Sequence, residues 1–431
     1  MTCLAERLQS APADALIWLT SSGERIQAGA LRSALVRMDV EAWRGKRVAL
    51  GDMPVLEFLL ALVALDGVAQ TLMLLPAEES ASARAERLSM APVDVVLDAD
   101  GLGLAGALTA AGDASWQPQT GGATEWLLPT SGTTGAPKLI AHTQASLTRS
   151  VRRRAPQEPL VWASLYSLRR FAGLQVFLQS WWDGSPLILS EDTAGLSTRL
   201  EALARLGCSA LSATPSMWRK LAMLPQSDGL ALRQITLGGE IVDQPALDLL
   251  ARRFPAARVT HIYASTEAGV GFAVRDGKAG FPAAYLSPGA LDVEMRVGEN
   301  QHLWLRLPQS PDWLDSGDIV KLQDERVYFL GRANGSINVG GNKVMPEEVE
   351  SVILELPEIA FVQVRARASA VLGSLVEAAV LPAGGRVLDA DLKRRVMAHC
   401  RTRVEAFKVP AFVVLAEGIE VNAAGKMSRA A

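Results

Sequence analysis

The chain has 431 residues, and at roughly 150 residues per domain it has room for two or three domains around a large buried core. Hydrophobic residues make up 49% and charged residues 21%, while 43 Lys+Arg against 46 Asp+Glu leave a net charge of -3. That balance excludes a basic nucleic-acid binder and a highly charged disordered chain as the main description. Cys3, Cys208 and Cys400 form neither a CxxC pair nor an even disulfide framework, and the opening MTCLAERLQS lacks the apolar core of a signal peptide. A reducing, cytoplasmic setting without secretion is the expectation.

In chain order, the most apolar stretch runs from Met53 to Pro76 and is broken by Glu57, Asp66, Gly67 and Gln70. It falls short of the apolar length a membrane span needs and reads as a buried helix, a turn at Asp66 and Gly67, and a core strand. Strand-length apolar runs follow at VDVVLDAD from Val93, EWLLP from Glu125, SPLILS from Ser185, CSALSATP from Cys208 and RQITLGG from Arg233. Helical stretches such as Ser197 to Leu206 and Gln244 to Phe254 lie between them. This alternation predicts an α/β fold with largely parallel, stacked sheets covered by helices.

Past Val270 the pattern changes, and GALDVEMRVGENQHLWLRL reads as an antiparallel hairpin turning at Gly298 to Asn300. Near Gly331 the segment VYFLGRANGSINVGG makes a hinge candidate. After it, MPEEVESVILELP starts a helix, FVQVRAR, LVEAAVLP and FVVLAE read as strands, and LDADLKRRVMAHCRTRV as a helix between them. The expected division is a large domain over residues 1–331, a hinge over 332–335, and a small mobile α+β lid over 336–431. No internal repeat or low-complexity segment is present in the sequence.

At Pro129 the chain reads PTSGTTGAPKLIAHT, after an apolar strand and before a polar helix-forming stretch. Thr130 to Thr134 crowd hydroxyl and glycine positions into one turn, where successive backbone N–H groups can form an anion nest. Lys138 adds a movable cation suited to phosphate oxygens. The GxxxxGK[ST] spacing is missing, since Gly132 and Gly135 are three apart and Lys138 follows a proline. Ordinary P-loop chemistry is therefore disfavoured.

TSGTTGAPK resembles the signature loop of the AMP-forming adenylating enzymes, the superfamily of acyl-CoA synthetases, nonribosomal adenylation domains and luciferase. Further matches follow in the family's order: LGGE at Leu237, YASTEAG at Tyr263, DSGD at Asp315, GRANGSINVGGNKVMPEEVE at Gly331 and NAAGKMSR at Asn422. The resemblance implies that a carboxylate attacks the α-phosphorus of ATP, giving an acyl-adenylate and pyrophosphate, a largely electrostatic task. It further implies transfer of the acyl group to a phosphopantetheine thiol.

Carried over residue by residue, the resemblance gives Thr130, Ser131, Gly132, Thr133, Thr134, Gly135 and Lys138 to the phosphates of ATP. Tyr263 matches the aromatic along the adenine, Thr266 the hydroxyl at the α-phosphate, and Glu267 the carboxylate that helps hold Mg2+, a hard ion suited to oxygen ligands. Gly238, Gly239 and Glu240 match the strand end beside the adenine and acyl pockets. Asp318 and Arg332 match the pair at the ribose, and Lys426 the lysine that bridges carboxylate and α-phosphate. In the second half-reaction the small domain would rotate, remove Lys426 and bring Gly340 and Gly341 to a pantetheine tunnel. Asn334 stands where the family usually has aspartate at the pivot, and asparagine tolerates unusual backbone angles.

The early arrival of the phosphate loop and the brief stretch between Tyr263 and Gly331 mark the body as shorter than most members. Ala264 replaces a common glycine. In SLRRFAGLQVFLQSWWDG, from Ser167, no acid stands where amino-acid-activating members place a counter-ion for the substrate ammonium. An aryl or short to medium acyl acid is therefore expected, with Arg170, Phe171, Ala172, Leu174, Gly238, Gly239 and Ala264 as pocket candidates. For Arg170 a solvent-facing basic pair with Arg169 on a helix is the competing reading. The thiol acceptor is a carrier protein or CoA, the carrier slightly preferred, and no nucleic acid or membrane span is expected as a partner. Two readings compete with a ligase for biosynthesis: a non-catalytic adenylate-binding or carrier-docking protein, and transfer of the acyl group to an amine or luciferase-type oxidation.

Overall fold

Eleven residues from Val55 to Leu65, eight of them buried, form the helix expected in the apolar stretch. The chain then turns at Gly67, whose φ of +90° suits glycine, and enters the strand Thr71–Leu74. Asp66, in the same turn, is also an anchor: it is 3% exposed and accepts hydrogen bonds from Leu4 N (2.9 Å) and Trp126 Nε1 (3.2 Å). Desolvation pushes its carboxyl above the usual range against those donors.

The computed structural model describes residues 3–77, 79–98, 116–118, 121–130, 138–152, 159–191, 193–308, 310–422 and 425–427. The chain forms two compact units. The first comprises Met1–Ala213, Leu224–Thr236 and Ala264–Val270; the second comprises Thr214–Met223, Leu237–Tyr263 and Gly271–Ala431.

In the first unit a five-stranded sheet runs in the order Val95–Leu97, Arg47–Leu50, Thr71–Leu74, Glu125–Pro129, Leu139–His142. Its neighbours are parallel except the last pair, which is antiparallel. A second parallel set, Ala210–Ala213, Trp162–Ser164, Leu187–Leu189 and Leu16–Thr20, carries Arg25–Gln27 as an antiparallel neighbour. Most of these strands are buried continuously rather than in alternation, as expected when both faces are covered. Trp18, Phe58, Trp126 and Phe177 lie in their core at 0–1% exposure, each stabilising by about 1.5–3 kcal/mol or more relative to exposure.

The second unit holds the antiparallel sheet expected past Val270, in the order Phe281–Pro282, Arg326–Arg332, Trp313–Gln323, His302–Arg306, Glu294–Val297. Its C-terminal body orders Asn342–Val344, Ile337–Val339, Gly373–Pro382 and Ile359–Ser369, with Phe412–Leu415 parallel to Gly373–Pro382. Helices Pro346–Leu354 and Ala390–Arg401 supply Val349, Ile353, Leu392 and Val396 to its core. The fold is thus α/β, with mostly parallel sheets and helices in the N-terminal part and a small α+β body at the C-terminal end.

All three cysteines are free thiols. Burial pushes Cys3 and Cys400 up to about 11 and Cys208 up to about 12. Among the described residues no helix is long and apolar enough to cross a membrane.

Candidate active site

In the first unit, the strands Glu125–Pro129 and Leu139–His142 form a hairpin whose register ends at Pro129 opposite Leu139. Beyond it Thr130 N donates to Lys138 O (2.8 Å) and Lys138 N to Thr130 Oγ1 (3.1 Å). Thr130 and Lys138 therefore close the base of the candidate phosphate loop. Ser131, Gly132, Thr133, Thr134 and Gly135 lie outside the described residues. The strand Leu139–His142 was not foreseen from sequence; its short apolar LIA run pairs back on the preceding strand before the helix Gln144–Thr148 begins.

The turn carrying Thr266 and Glu267 is held by two residues that the motif matching did not single out. His142, 6% exposed, approaches Thr266 O with Nε2 (2.8 Å) and Ser146 Oγ with Nδ1 (3.1 Å). Arg149 donates through one guanidinium nitrogen to Ala268 O (2.9 Å) and Val270 O (3.0 Å). Two carbonyls of the turn and one of the strand that follows it are thereby satisfied, while Glu267 remains exposed. Desolvation pushes His142 below its ordinary value, so the neutral ring with Nε2–H donating to Thr266 O is the favoured form. Neither residue carries a motif of its own, because its target is main-chain carbonyl some 120 residues away.

Phe171 begins the helix Phe171–Asp183 and its ring centroid lies 5.7 Å from that of His142. Arg170 is the N-cap residue of this helix, and Arg169 is not the solvent-facing partner of a basic pair. Arg169 is 4% exposed, donates to Gly51 O (2.6 Å) and Met53 O (2.5 Å), and lies 4.3 Å over the Phe58 ring. Of the other pocket candidates, Ala172 and Ala264 are half-buried while Leu174 is fully buried in the core. Gly173 has its own requirement: a Cβ there would lie 2.1 Å from Ser167 O, so the helix start packs directly on backbone.

The second unit brings together Tyr263, Asp318 and Arg332. Asp318 and Arg332 are cross-strand partners; Tyr263 Oη donates to Asp318 Oδ2 (2.7 Å), and Arg332 Nε lies 3.4 Å from Asp318 Oδ1. Burial raises the Asp318 carboxyl, while Arg332, Tyr263, Ser316 and Lys426 act in the opposite direction. Burial likewise pushes the Tyr263 phenol upward. Phe272 and Phe329, which the sequence reading missed, stack against Tyr263 at 5.2 and 5.1 Å between centroids. Gly271 permits this, since a Cβ there would come within 3.1 Å of the Tyr263 ring.

Gly238 ends the strand Gln234–Gly238, and Gly239 follows with φ +82°. A Cβ on Gly239 would stand 3.3 Å from Lys426 Cε. Glu240 accepts from Ser216 N (2.9 Å), Ser216 Oγ (3.1 Å) and Met427 N (2.5 Å). Its carboxylate is thus engaged with donors from Ser216 and Met427. Asn334 sits in a 3-10 turn, Ala333–Gly335, and is not among the described non-glycine residues of positive φ, which are Gln301, Asp324 and Glu325. Gly340 (φ +56°) and Gly341 (φ +90°) form the two-residue turn between Ile337–Val339 and Asn342–Val344, a geometry that needs positive φ at both positions.

These geometries agree with a family match over most of the chain. Residues 30–308 match the AMP-binding enzyme model and residues 348–426 the AMP-binding enzyme C-terminal domain. The chain belongs to the AMP-binding enzymes, the AMP-forming adenylating enzymes its motifs resemble.

Among its relatives is the p-hydroxybenzoic acid–AMP ligase of Mycobacterium marinum, 25% identical over 74% of this chain and 50% of the relative. The chain spans about half the length of the first curated relatives it matches. Its fold is that of an anthranilate CoA ligase solved with anthranoyl-AMP (TM-score 0.79, 15% identity, 99% of this chain and 95% of the other). It is shared by the O-succinylbenzoate coenzyme A synthetase of Bacillus subtilis solved with ATP and magnesium ion (TM-score 0.72, 20% identity, 98% and 97%).

Proposed function

We propose that this protein activates a carboxylic acid with ATP, forming an acyl-adenylate and pyrophosphate, and then transfers the acyl group to the phosphopantetheine thiol of CoA or a carrier protein. The observation that carries this reading is the second unit's grouping of Tyr263, Asp318 and Arg332 with a lysine, Lys426, whose charge reaches the Asp318 carboxyl. A ribose offers two hydroxyl donors to a carboxylate such as Asp318. Lys426 and Lys138 supply mobile positive charge where phosphate charge builds up.

In the first step an oxygen of the substrate carboxylate bonds to the α-phosphorus and the bond to the pyrophosphate oxygen breaks. Lys426 would stabilise the charge spread over carboxylate and α-phosphate, and Thr266 would donate to an α-phosphate oxygen. Thr130 to Gly135 and Lys138 would hold the departing pyrophosphate. Mg2+ fits the donor chemistry of Glu267, an exposed single carboxylate, because this ion is commonly held by one or two carboxylates and substrate phosphates. In the second step the thiol sulfur bonds to the acyl carbon, AMP leaves, and the thiol proton passes to solvent.

The residue division 1–331, 332–335 and 336–431, with Asn334 as pivot and Gly340–Gly341 reaching the thiol, belongs to this reading. So does a cytoplasmic location, supported by three unpaired cysteines. The acid is read as aryl or short to medium acyl rather than an α-amino acid. Phe171 beside His142 supports that class, and the relatives' names, p-hydroxybenzoic acid and anthranilate, favour its aryl branch. The test is carboxylate-dependent ATP–pyrophosphate exchange with aryl, fatty and amino acids in the presence of Mg2+. Exchange with one aryl or acyl class is expected; silence from folded, ATP-binding protein would favour a non-catalytic adenylate binder.

A further inference from the structure

Lys426 sits in a short turn closed by main-chain and Asn422 bonds. Asn422 N donates to Lys426 O (2.8 Å), Lys426 N to Asn422 Oδ1 (3.2 Å) and Gly425 N to Asn422 O (2.8 Å). Val421 and Met427 make an isolated antiparallel bridge. The residues on either side of the lysine are gripped from elsewhere in the same unit. Thr214, 1% exposed, donates its hydroxyl to Gly425 O, and Glu240 accepts from Met427 N at 2.5 Å.

We infer that Thr214 and Glu240 are positioning residues that latch the lysine-bearing turn for the adenylation step and release it for the thiol step. This rests on the proposed role of Lys426. The two grips act on main chain at the positions before and after the lysine, so they set where its Cα stands without using its side chain. They also place its stem beside Gly239, where a Cβ would be 3.3 Å from Lys426 Cε and 3.8 Å from Thr214 Cγ2. Both grips have second partners. Thr214 Oγ1 caps the helix Pro215–Ala222 by accepting from Met217 N (3.1 Å), and Glu240 holds Ser216 N and Oγ. When the turn departs, neither latch residue is stranded as a fully unpaired buried group, so unlatching is cheaper than breaking an ordinary buried contact.

Thr214→Val keeps the shape and removes the hydroxyl, while Thr214→Ser restores both latch and cap. With the acid that exchanges best, Thr214→Val is expected to lower the kcat of ATP–pyrophosphate exchange about tenfold, the effect of one such bond on a two-state equilibrium. KM for ATP and thiol-dependent consumption of supplied acyl-adenylate are expected to stay within about twofold, and Thr214→Ser is expected to recover exchange. Equal loss in both half-reactions would reduce Thr214 to a structural cap and overturn the latch.

Lys426→Ala separates this failure from that of the underlying reading. Exchange that survives Lys426→Ala removes the lysine's role; exchange lost in Lys426→Ala but intact in Thr214→Val removes only the latch. A substrate-free measurement stands beside these: amide hydrogen exchange of a peptide covering Val421 to Met427. It is expected to be slower in the natural chain than in Thr214→Val or Glu240→Ala, and equal rates would overturn the proposal.

Discussion

Two short turns present charged side chains, and they are held by different chemistry. The turn from Ser265 to Val270 is gripped through its carbonyls by His142 and Arg149. The turn around Lys426 is gripped through one carbonyl and one amide by Thr214 and Glu240. Loss of the first grip would leave carbonyls of Ala268 and Val270 without the Arg149 donor, and would part the His142 ring from Thr266. Loss of the second leaves Thr214 on Met217 N and Glu240 on Ser216. A permanent support and a releasable one differ less in the number of bonds than in what each partner still holds after separation.

The largest expected effect falls on the releasable turn. Lys426→Ala is expected to lower ATP–pyrophosphate exchange by roughly 10²- to 10³-fold, the usual cost of removing one preorganised stabilising group, with little change in unfolding free energy. Arg149→Met tests the permanent turn, and urea denaturation is expected to show a loss of about 2–4 kcal/mol from two carbonyls deprived of a donor. A stability loss smaller than that of Lys426→Ala would erase the distinction between the two turns.

His142 gives the permanent turn a pH signature. Its folded-state value lies below 6.5, so above that pH the ring is neutral in both states and contributes no slope. As pH falls below about 6.5 the unfolded chain binds the proton first, and stability declines. His142→Phe is expected to flatten this decline, read from denaturation midpoints between pH 7.5 and 5. His261, also pushed down by burial, retains its own share of the slope. The smallest expected effect is in neither turn: Gly341→Ala, at φ +90°, is expected to cost about 1–2 kcal/mol from strained backbone.

Much of the architecture is legible from apolar runs. The stretch from Met53 to Pro76 yields a helix, a glycine turn and a strand because burial leaves little choice of periodicity. Tyr263, Asp318 and Arg332 are each picked out by motifs matched in order, while the bond from Tyr263 Oη to Asp318 comes only from the fold. His142, Arg149 and Thr214 were invisible because any donor of suitable reach can satisfy a carbonyl, so no spacing marks them. Arg169 misled for a related reason. An arginine in sequence suggests solvent, yet its five donors can be satisfied by buried backbone, here Gly51 O and Met53 O, with Phe58 beneath.

The thiols, two buried and Cys3 half-buried, have a practical meaning for watching the Lys426 turn and the C-terminal body. With Cys3 and Cys400 pushed up to about 11 and Cys208 up to about 12, roughly one thiol in a few thousand or fewer is ionised at pH 7.5. Maleimide and disulfide reagents would find the native cysteines slow. Val371, at the tip between Ile359–Ser369 and Gly373–Pro382, is 90% exposed. Val371→Cys would therefore accept a fluorophore or spin label selectively on an otherwise natural chain, giving a single-site reporter without a cysteine-free background.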